Sequence, residues 1–180
     1  MSSVVTFRTK SRIPSESRRR RLMMETHPEH IAPCGLYCGV CRIYHATQED
    51  DRTFLQRLVS IYKRRFPEIA AATADELLCD GCLSTRRSVF CQECSIRECT
   101  QQKGLEGCHE CAGFPCSLVD EFPLPLGKKV ILRAIPYWRT HGTEQLILAE
   151  EKRYRCPECG QKLFRGARQC RHCKAPVDVD

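Results

Sequence analysis

The sequence predicts a small, metal-stabilised α+β fold, in which an irregular cysteine-knuckle core with several helices precedes a C-terminal β zinc ribbon. Three observations lead to this prediction. The chain has fifteen cysteines in 180 residues, most of them in Cys-x2-Cys pairs. Its apolar residues other than cysteine make up roughly a third of the chain, which is below the ordinary share of a globular domain. The last four cysteines have the spacing Cys-x2-Cys-x10-Cys-x2-Cys, which is typical of a zinc ribbon.

A chain with so lean an apolar core needs cross-links, which are either disulfides or bound metals. Residues 1–22 contain no apolar stretch of signal-peptide length, and no run of 18 apolar residues occurs in the sequence. We therefore expect a cytoplasmic protein with no membrane partner. In that compartment thiols stay reduced, so the cysteines are expected to bind metal.

Composition and charge divide the chain into four predicted segments. Residues 1–26 are expected to form a disordered basic arm, because they hold four consecutive arginines and no apolar face. A cysteine-rich metal-binding domain (27–120), a helical hairpin or linker (121–151) and the zinc ribbon (152–180) follow. The net charge of +7 arises at the two ends, since residues 1–21 carry +6 and residues 152–180 carry +5.

An amphipathic helix is predicted after the first cysteine group. Thr47 and Asp50 stand in a rough capping-box arrangement before it, and Pro67 ends it. Its expected apolar stripe consists of Phe54, Leu58, Ile61 and Tyr62.

A second helix is predicted from about residue 127 to residue 141. Gly142 is placed to end this helix, and Pro136 is expected to kink or divide it. A further helix then leads into the ribbon. We expect Trp138 and Tyr137 to pack this hairpin onto the cysteine core.

All fifteen cysteines are predicted metal ligands: Cys34, Cys38, Cys41, Cys79, Cys82, Cys91, Cys94, Cys99, Cys108, Cys111, Cys116, Cys156, Cys159, Cys170 and Cys173. The last four form the ribbon site. The eight in 79–116 suffice for two sites of four ligands, and little room is left between them for more than turns and single helical turns. Sequential pairing places the first four in one site and the last four in the other, but an interleaved arrangement fits the spacing equally well.

The same region contains an internal repeat. The spacing Cys-x2-Cys-x4-Cys, which begins at Cys91, recurs seventeen residues later, beginning at Cys108.

The three remaining cysteines, Cys34, Cys38 and Cys41, need a fourth ligand. His45 follows on the same face if a helix starts at Cys38, and the alternatives are His30, His109 or a cysteine of the second group. The spacing Cys-x3-Cys-x2-Cys also occurs in radical S-adenosylmethionine enzymes, but alternating strands and helices do not follow it here.

From Ala32 to Cys116 the chain resembles a bacterial and archaeal cysteine-rich family of unknown function. The resemblance is carried by the CGLYCG opening at 34–39, the Cys-x-Gly-Cys pair at 79–82 and the Phe-Pro-Cys end at 114–116. A helical hairpin followed by a ribbon also resembles the longer members. The resemblance implies metal binding by these cysteines and carries no established activity.

These observations favour a non-catalytic protein that binds several metal ions and acts as an interaction module. We expect zinc in the ribbon and in the core, a protein or nucleic-acid partner, and no small-molecule substrate. An enzyme is disfavoured because the sequence has no nucleotide-binding loop, hydrolase elbow or His-Glu-x-x-His helix.

Two alternatives stay open. The first is an iron–sulfur redox or cofactor-handling protein, with a [4Fe–4S] cluster on Cys34, Cys38, Cys41 and a downstream cysteine. The second is a nucleic-acid-binding zinc ribbon. Its contact face would set Tyr154 and Phe164 among Lys152, Arg153, Arg155, Lys162, Arg165 and Arg168.

Overall fold

The structure, a computed structural model, describes residues 27–180 apart from the side chains of residues 65 and 68. The predicted basic arm, residues 1–26, lies outside the described residues. Within the described range the α-helices are α1 (Arg42–Gln48), α2 (Arg52–Arg65), α3 (Val89–Gln92), α4 (Ser95–Gln102), α5 (Ser117–Asp120) and α6 (Pro125–Arg153). Short 3-10 helices occur at Pro28–His30, Cys38–Val40, Pro67–Ile69 and Asp75–Leu77. None of the helices in this range combines the length and the apolar character needed to cross a membrane.

The predicted α+β class is confirmed only in part. Residues 27–180 are rich in helix and cysteine, but their β structure is limited to three isolated antiparallel bridges. The β zinc ribbon predicted for 152–180 is not seen. Its place is taken by two tight turns, each with a single bridge beside it, Arg155 to Lys162 and Gln169 to Pro176. The ten residues between the cysteine pairs also turn at Gly166 (φ 78°).

Helix α2 is capped differently from the prediction. Asp51 is its N-cap, and the Asp51 carboxylate accepts a hydrogen bond of 2.9 Å from the Phe54 N–H. Thr47 belongs to the last turn of α1, where its hydroxyl donates to the Ile43 carbonyl. The capping box predicted at Thr47 and Asp50 is therefore wrong.

The buried face of α2 is also shifted. Leu55, Leu58 and Val59 are buried, whereas the side chain of Ile61 is 49% exposed. The prediction that Ile61 lies on the apolar stripe is wrong. The buried positions keep the helical spacing but centre on Leu55, one residue after Phe54.

Helix α6 contains one break, at Gly142, whose φ of 81° and ψ of 170° are not helical. Gly142 thus ends the first half of the hairpin, as predicted. The helix is not divided at Pro136, where a kink or a division is expected, since the backbone stays helical there. Pro136 lies on the exposed side of α6 near exposed Leu132, so the carbonyl that proline leaves without a helical partner can be hydrated.

Trp138 packs α6 onto the cysteine-rich part, as predicted. Its side chain is 1% exposed, its ring stacks on His109 with centroids 3.7 Å apart, and its Nε1–H donates to the Thr143 hydroxyl at 2.9 Å. A Cβ at Gly107 would lie 2.8 Å from this ring, so only glycine fits beneath it. Tyr137 differs from the prediction, because it is 36% exposed and stacks on His141.

The region 79–116 is more helical than predicted. It holds α4, a helix of eight residues that carries Cys99, where only single helical turns were expected. The two halves of the internal repeat are not equivalent in structure. Cys94, the second cysteine of its copy, caps α4, whereas Cys116, the third cysteine of its copy, caps α5.

A single buried apolar cluster joins the cysteine-rich part, α6 and the C-terminal segment. Val40, Ile131, Ile135, Leu163 and Val179 are among its members. Such burial stabilises the arrangement by roughly 25 cal/mol for each Å² of apolar surface removed from water.

A buried ion pair holds the two halves of α6 together. The Glu150 side chain is fully buried, and Arg133 binds it through two hydrogen bonds. We expect Arg133→Ala to lower the free energy of unfolding of the metal-loaded protein by about 3 kcal/mol, because it leaves a buried carboxylate unpaired. Denaturant titration measures the loss. Arg153→Ala, which removes an exposed arginine from the same helix, is the control, and equal stability of the two variants would contradict the role given to Arg133.

Candidate metal centre

The four cysteines of the C-terminal segment form one compact site. Among the described residues, the sulfurs of Cys156, Cys159, Cys170 and Cys173 all lie within 4.8 Å of one another. The sulfurs of Cys156 and Cys173 are 3.6 Å apart, and those of Cys159 and Cys170 are 3.7 Å apart. A tetrahedral metal with bonds of about 2.3 Å places its sulfur ligands about 3.8 Å apart. The spacing of this four-cysteine site therefore fits one metal ion.

Two equivalent tight turns bring these sulfurs together. In the first turn the Gly160 N–H donates to the Cys156 carbonyl at 2.9 Å, and in the second the Lys174 N–H donates to the Cys170 carbonyl at 3.0 Å. The residue after each second cysteine has a left-handed backbone, with φ 72° at Gly160 and 63° at Lys174. Glycine adopts this conformation freely, whereas lysine does so at a cost.

Backbone N–H groups face the sulfurs of this site. The Cys173 N–H, followed by the His172 N–H, lowers the pKa of the Cys170 thiol to about 6. Hydrogen bonds of this kind favour the thiolate, which is the form that binds metal.

The four-cysteine site is attached to the cysteine-rich part through its central loop. The Arg165 N–H donates to the Val40 carbonyl, and the Arg165 guanidinium donates to the Tyr37 carbonyl, both at 3.0 Å. Leu163 and Tyr154 are buried beneath the site. Of the four ligands, two are buried and two are exposed, so one side of the site faces solvent: Cys156 and Cys170 are buried, Cys159 and Cys173 exposed.

The predicted nucleic-acid face is incomplete in the structure. Tyr154 is fully buried and its hydroxyl donates to Asp180. Phe164 is half-buried and lies edge-on against His45, and Arg165 is held inside by the contacts above. The two aromatic side chains of the predicted contact face are thus occupied within the fold.

The eleven other cysteines are not arranged like the C-terminal four. All fifteen are free thiols. Within residues 27–180, no three of the eleven core cysteines bring their sulfurs within 4.8 Å of one another. The compact four-ligand sites expected in 79–116, whether paired sequentially or interleaved, are not assembled at single-ion spacing.

Cys34 faces a different group of thiols from Cys38 and Cys41. Burial raises the pKa of the Cys34 thiol, and the thiols that raise it further are those of Cys82, Cys94 and Cys108. The first cysteine of the CGLYCG motif thus faces Cys94 and Cys108, and it shares Cys82 with Cys38.

Cys38 faces a second group of thiols. Burial raises the pKa of its thiol to about 12, and Cys41, Cys79 and Cys82 also raise it. Cys41 likewise raises the pKa of the Cys79 thiol, after burial. The Cys82 thiol raises the pKa of both the Cys34 and the Cys38 thiols, so the two groups overlap. Cys91 belongs to both groups, since after burial Cys41 and Cys34 each raise the pKa of its thiol.

None of the three histidines considered as a fourth ligand joins a cysteine group in the described residues. His45 Nε2 lies 2.7 Å from the Gly39 carbonyl oxygen, to which it donates. His30 hydrogen-bonds Tyr44, and His109 stacks against Trp138. His45 and His30 are thus engaged elsewhere, whereas Nδ1 of His109 is buried and has no hydrogen-bond partner among the described residues.

Sequence reasoning missed several cations around the cysteines. Arg97 is 6% exposed and donates to the carbonyls of Cys91 (2.6 Å) and Gln92 (2.7 Å). Burial raises the pKa of the Cys82 thiol, and a hydrogen bond from Arg97 acts against this rise. Arg97 makes no ion pair with a carboxylate of residues 27–180. Arg97 is thus a buried cation whose contacts among the described residues are backbone carbonyls and the Cys82 thiol.

Comparison with protein families gives one match. The family model DUF3795, described as a protein of unknown function, matches residues 30–121, about half of the chain. The chain belongs to this family. No curated protein and no solved structure matches the chain.

The left-handed turns lead to a test of the four-cysteine site. A Cβ at Gly160 meets nothing within 4 Å, so Gly160→Ala changes only the backbone preference. We expect zinc binding about fivefold weaker, which corresponds to about 1 kcal/mol, in a competition assay with a coloured chelator. Gly160→Asn should lose less of the affinity for zinc, because asparagine tolerates this conformation. Lys174→Gly should bind zinc more tightly than the parent protein. Equal affinities for the Ala and Asn variants would contradict the turn geometry.

Proposed function

We propose that this member of the DUF3795 family is a non-catalytic metal-binding protein whose C-terminal four-cysteine site holds one structural zinc ion and which acts as an interaction module. The observation that carries the proposal is the mutual approach of four sulfurs, Cys156 with Cys173 and Cys159 with Cys170, to 3.6 and 3.7 Å. Two pairs of thiols at this distance, from turns fourteen residues apart in the chain, match the edges of one tetrahedral coordination site.

The ligand set supports zinc in a structural role. Four thiolates fill a tetrahedral site, whereas catalytic zinc sites keep one position for water or substrate. A multinuclear iron–sulfur cluster needs its cysteines farther apart, because irons and sulfides lie between them. The C-terminal sulfurs leave room for a single ion.

Zinc would stabilise the C-terminal segment and its attachment to the family domain. Structural zinc sites contribute roughly 10–16 kcal/mol of apparent binding free energy, which exceeds what a few buried side chains supply. Leu163 and Arg165 lie on the loop between the two turns. Leu163 is buried in the shared core, and the Arg165 N–H donates to the Val40 carbonyl. Binding of the ion would therefore order the loop that makes these contacts.

The exposed side of this segment is the part best suited to a partner. Arg171 and Lys174 are exposed beside Cys173, and neither makes an ion pair within the described chain. Two further arginines, Arg155 and Arg168, are also exposed but are paired with carboxylates. Exposed cations favour an acidic partner, either a protein surface or a nucleic acid.

The zinc assignment is tested by elemental analysis of the full chain and of the double variant Cys159→Ser/Cys173→Ser. These two sulfurs are exposed, so their replacement removes ligands and little packing. We expect the variant to hold one zinc per chain fewer than the parent protein and to melt at a lower temperature, because two ligands are gone. X-ray absorption of the zinc in the parent protein should show sulfur ligands at about 2.3 Å.

His172→Ala is the matched control, since His172 is exposed and lies between two ligands without being one. It should keep the full zinc content. Unchanged zinc in the double cysteine variant, or loss of one iron in place of one zinc, would refute the assignment.

A further inference from the structure

Four core cysteines surround one cavity. Cys99, Cys108, Cys111 and Cys116 line a space of about 160 Å³, together with apolar side chains. Cys99 lies on α4 and Cys116 caps α5, while Cys108 and Cys111 lie in the turn between the two helices. Since a water molecule takes up about 30 Å³ of liquid, the cavity is much larger than a single metal ion needs.

The spacing of these sulfurs differs from that of the C-terminal site. No three of the four lie within 4.8 Å of one another, yet all four border the same space. A single ion with bonds of about 2.3 Å would hold them about 3.8 Å apart. The cavity therefore suits a larger inorganic group, with metal atoms distributed between the sulfurs.

Two cationic side chains, Lys103 and Arg139, lie near this cavity and form no ion pair with a carboxylate of the described residues. The Lys103 ammonium lies 3.9 Å from the Cys111 sulfur. The Arg139 guanidinium donates to the carbonyls of Cys111 and His109, both at 2.8 Å. Positive charge beside Cys111 would stabilise an anionic group in the cavity.

We propose that this cavity binds a [4Fe–4S] cluster through Cys99, Cys108, Cys111 and Cys116. Four cysteine thiolates are the usual ligands of such a cluster, and hydrogen bonds to the sulfurs and apolar surroundings set its potential. On assembly each thiol releases a proton to water and forms one Fe–S bond. The medium supplies sulfide and iron, half ferrous and half ferric, so no electron is exchanged with the protein. The site is separate from the C-terminal zinc site and does not depend on it.

The test uses the full chain, purified and reconstituted without oxygen with ferrous and ferric iron and sulfide. Iron, acid-labile sulfide and zinc are counted in the parent protein and in two double variants. We expect Cys99→Ser/Cys116→Ser to lose about four irons and four sulfides per chain and to keep its zinc. Cys159→Ser/Cys173→Ser is the matched control, which should lose zinc and keep iron. The two outcomes separate failure of this proposal from failure of the zinc assignment.

A second variant covers the case in which the cysteine variant does not fold. Lys103→Gln removes a cation beside Cys111 and leaves every thiol in place. It should retain the iron and the absorption near 400 nm but lower the reduction potential of the cluster, because the reduced cluster carries more negative charge. Absence of iron from the reconstituted parent protein, equal iron in parent and Cys99→Ser/Cys116→Ser proteins, or an unchanged potential in Lys103→Gln would overturn the proposal.

Discussion

We propose that coordination of metal by thiolates is the interaction on which this fold depends. The cysteines are placed by short turns and by the ends of short helices, such as Cys94 and Cys116 at the starts of α4 and α5. Elements of four to eight residues do not persist alone in water. The apolar cluster that contains Trp138 also includes Cys34, Cys108, Cys156 and Cys170, and it secures α6 against the cysteine-rich part. Under this proposal, bound metal would supply the remaining free energy.

The distribution of cations supports this account. Arg97, Lys103 and Arg139 are all directed at sulfurs or carbonyls of the cysteine-rich part and make no ion pairs with carboxylates of the described chain. Arg133, by contrast, has a buried acidic partner in Glu150. Arg97 is buried and would be costly beside neutral thiols, whereas Lys103 and Arg139 are exposed. Beside metal–thiolate groups, which carry net negative charge, the same side chains are stabilising.

Spacing along the chain predicted the C-terminal group of four cysteines and the helix end at Gly142, because both depend on local geometry. It did not predict which core cysteines share a neighbourhood. Cys34 meets Cys82 and Cys94 through tertiary packing, and no local pattern specifies that contact. The left-handed turn at Lys174 could not be predicted from the sequence, since lysine rarely adopts a left-handed backbone. The β ribbon was expected from cysteine spacing alone, which fixes the turns and leaves the strands between them undetermined.

The most direct test follows the amide spectrum of the isotope-labelled protein during chelation under reducing, oxygen-free conditions. The account predicts that removal of metal collapses the dispersed amide signals of the C-terminal segment and of the region 79–116 together. Zinc alone should then restore the C-terminal signals, while those of the region 79–116 should require iron and sulfide as well. A metal-free protein that keeps its dispersed spectrum and its melting transition would contradict the central role given to thiolate coordination.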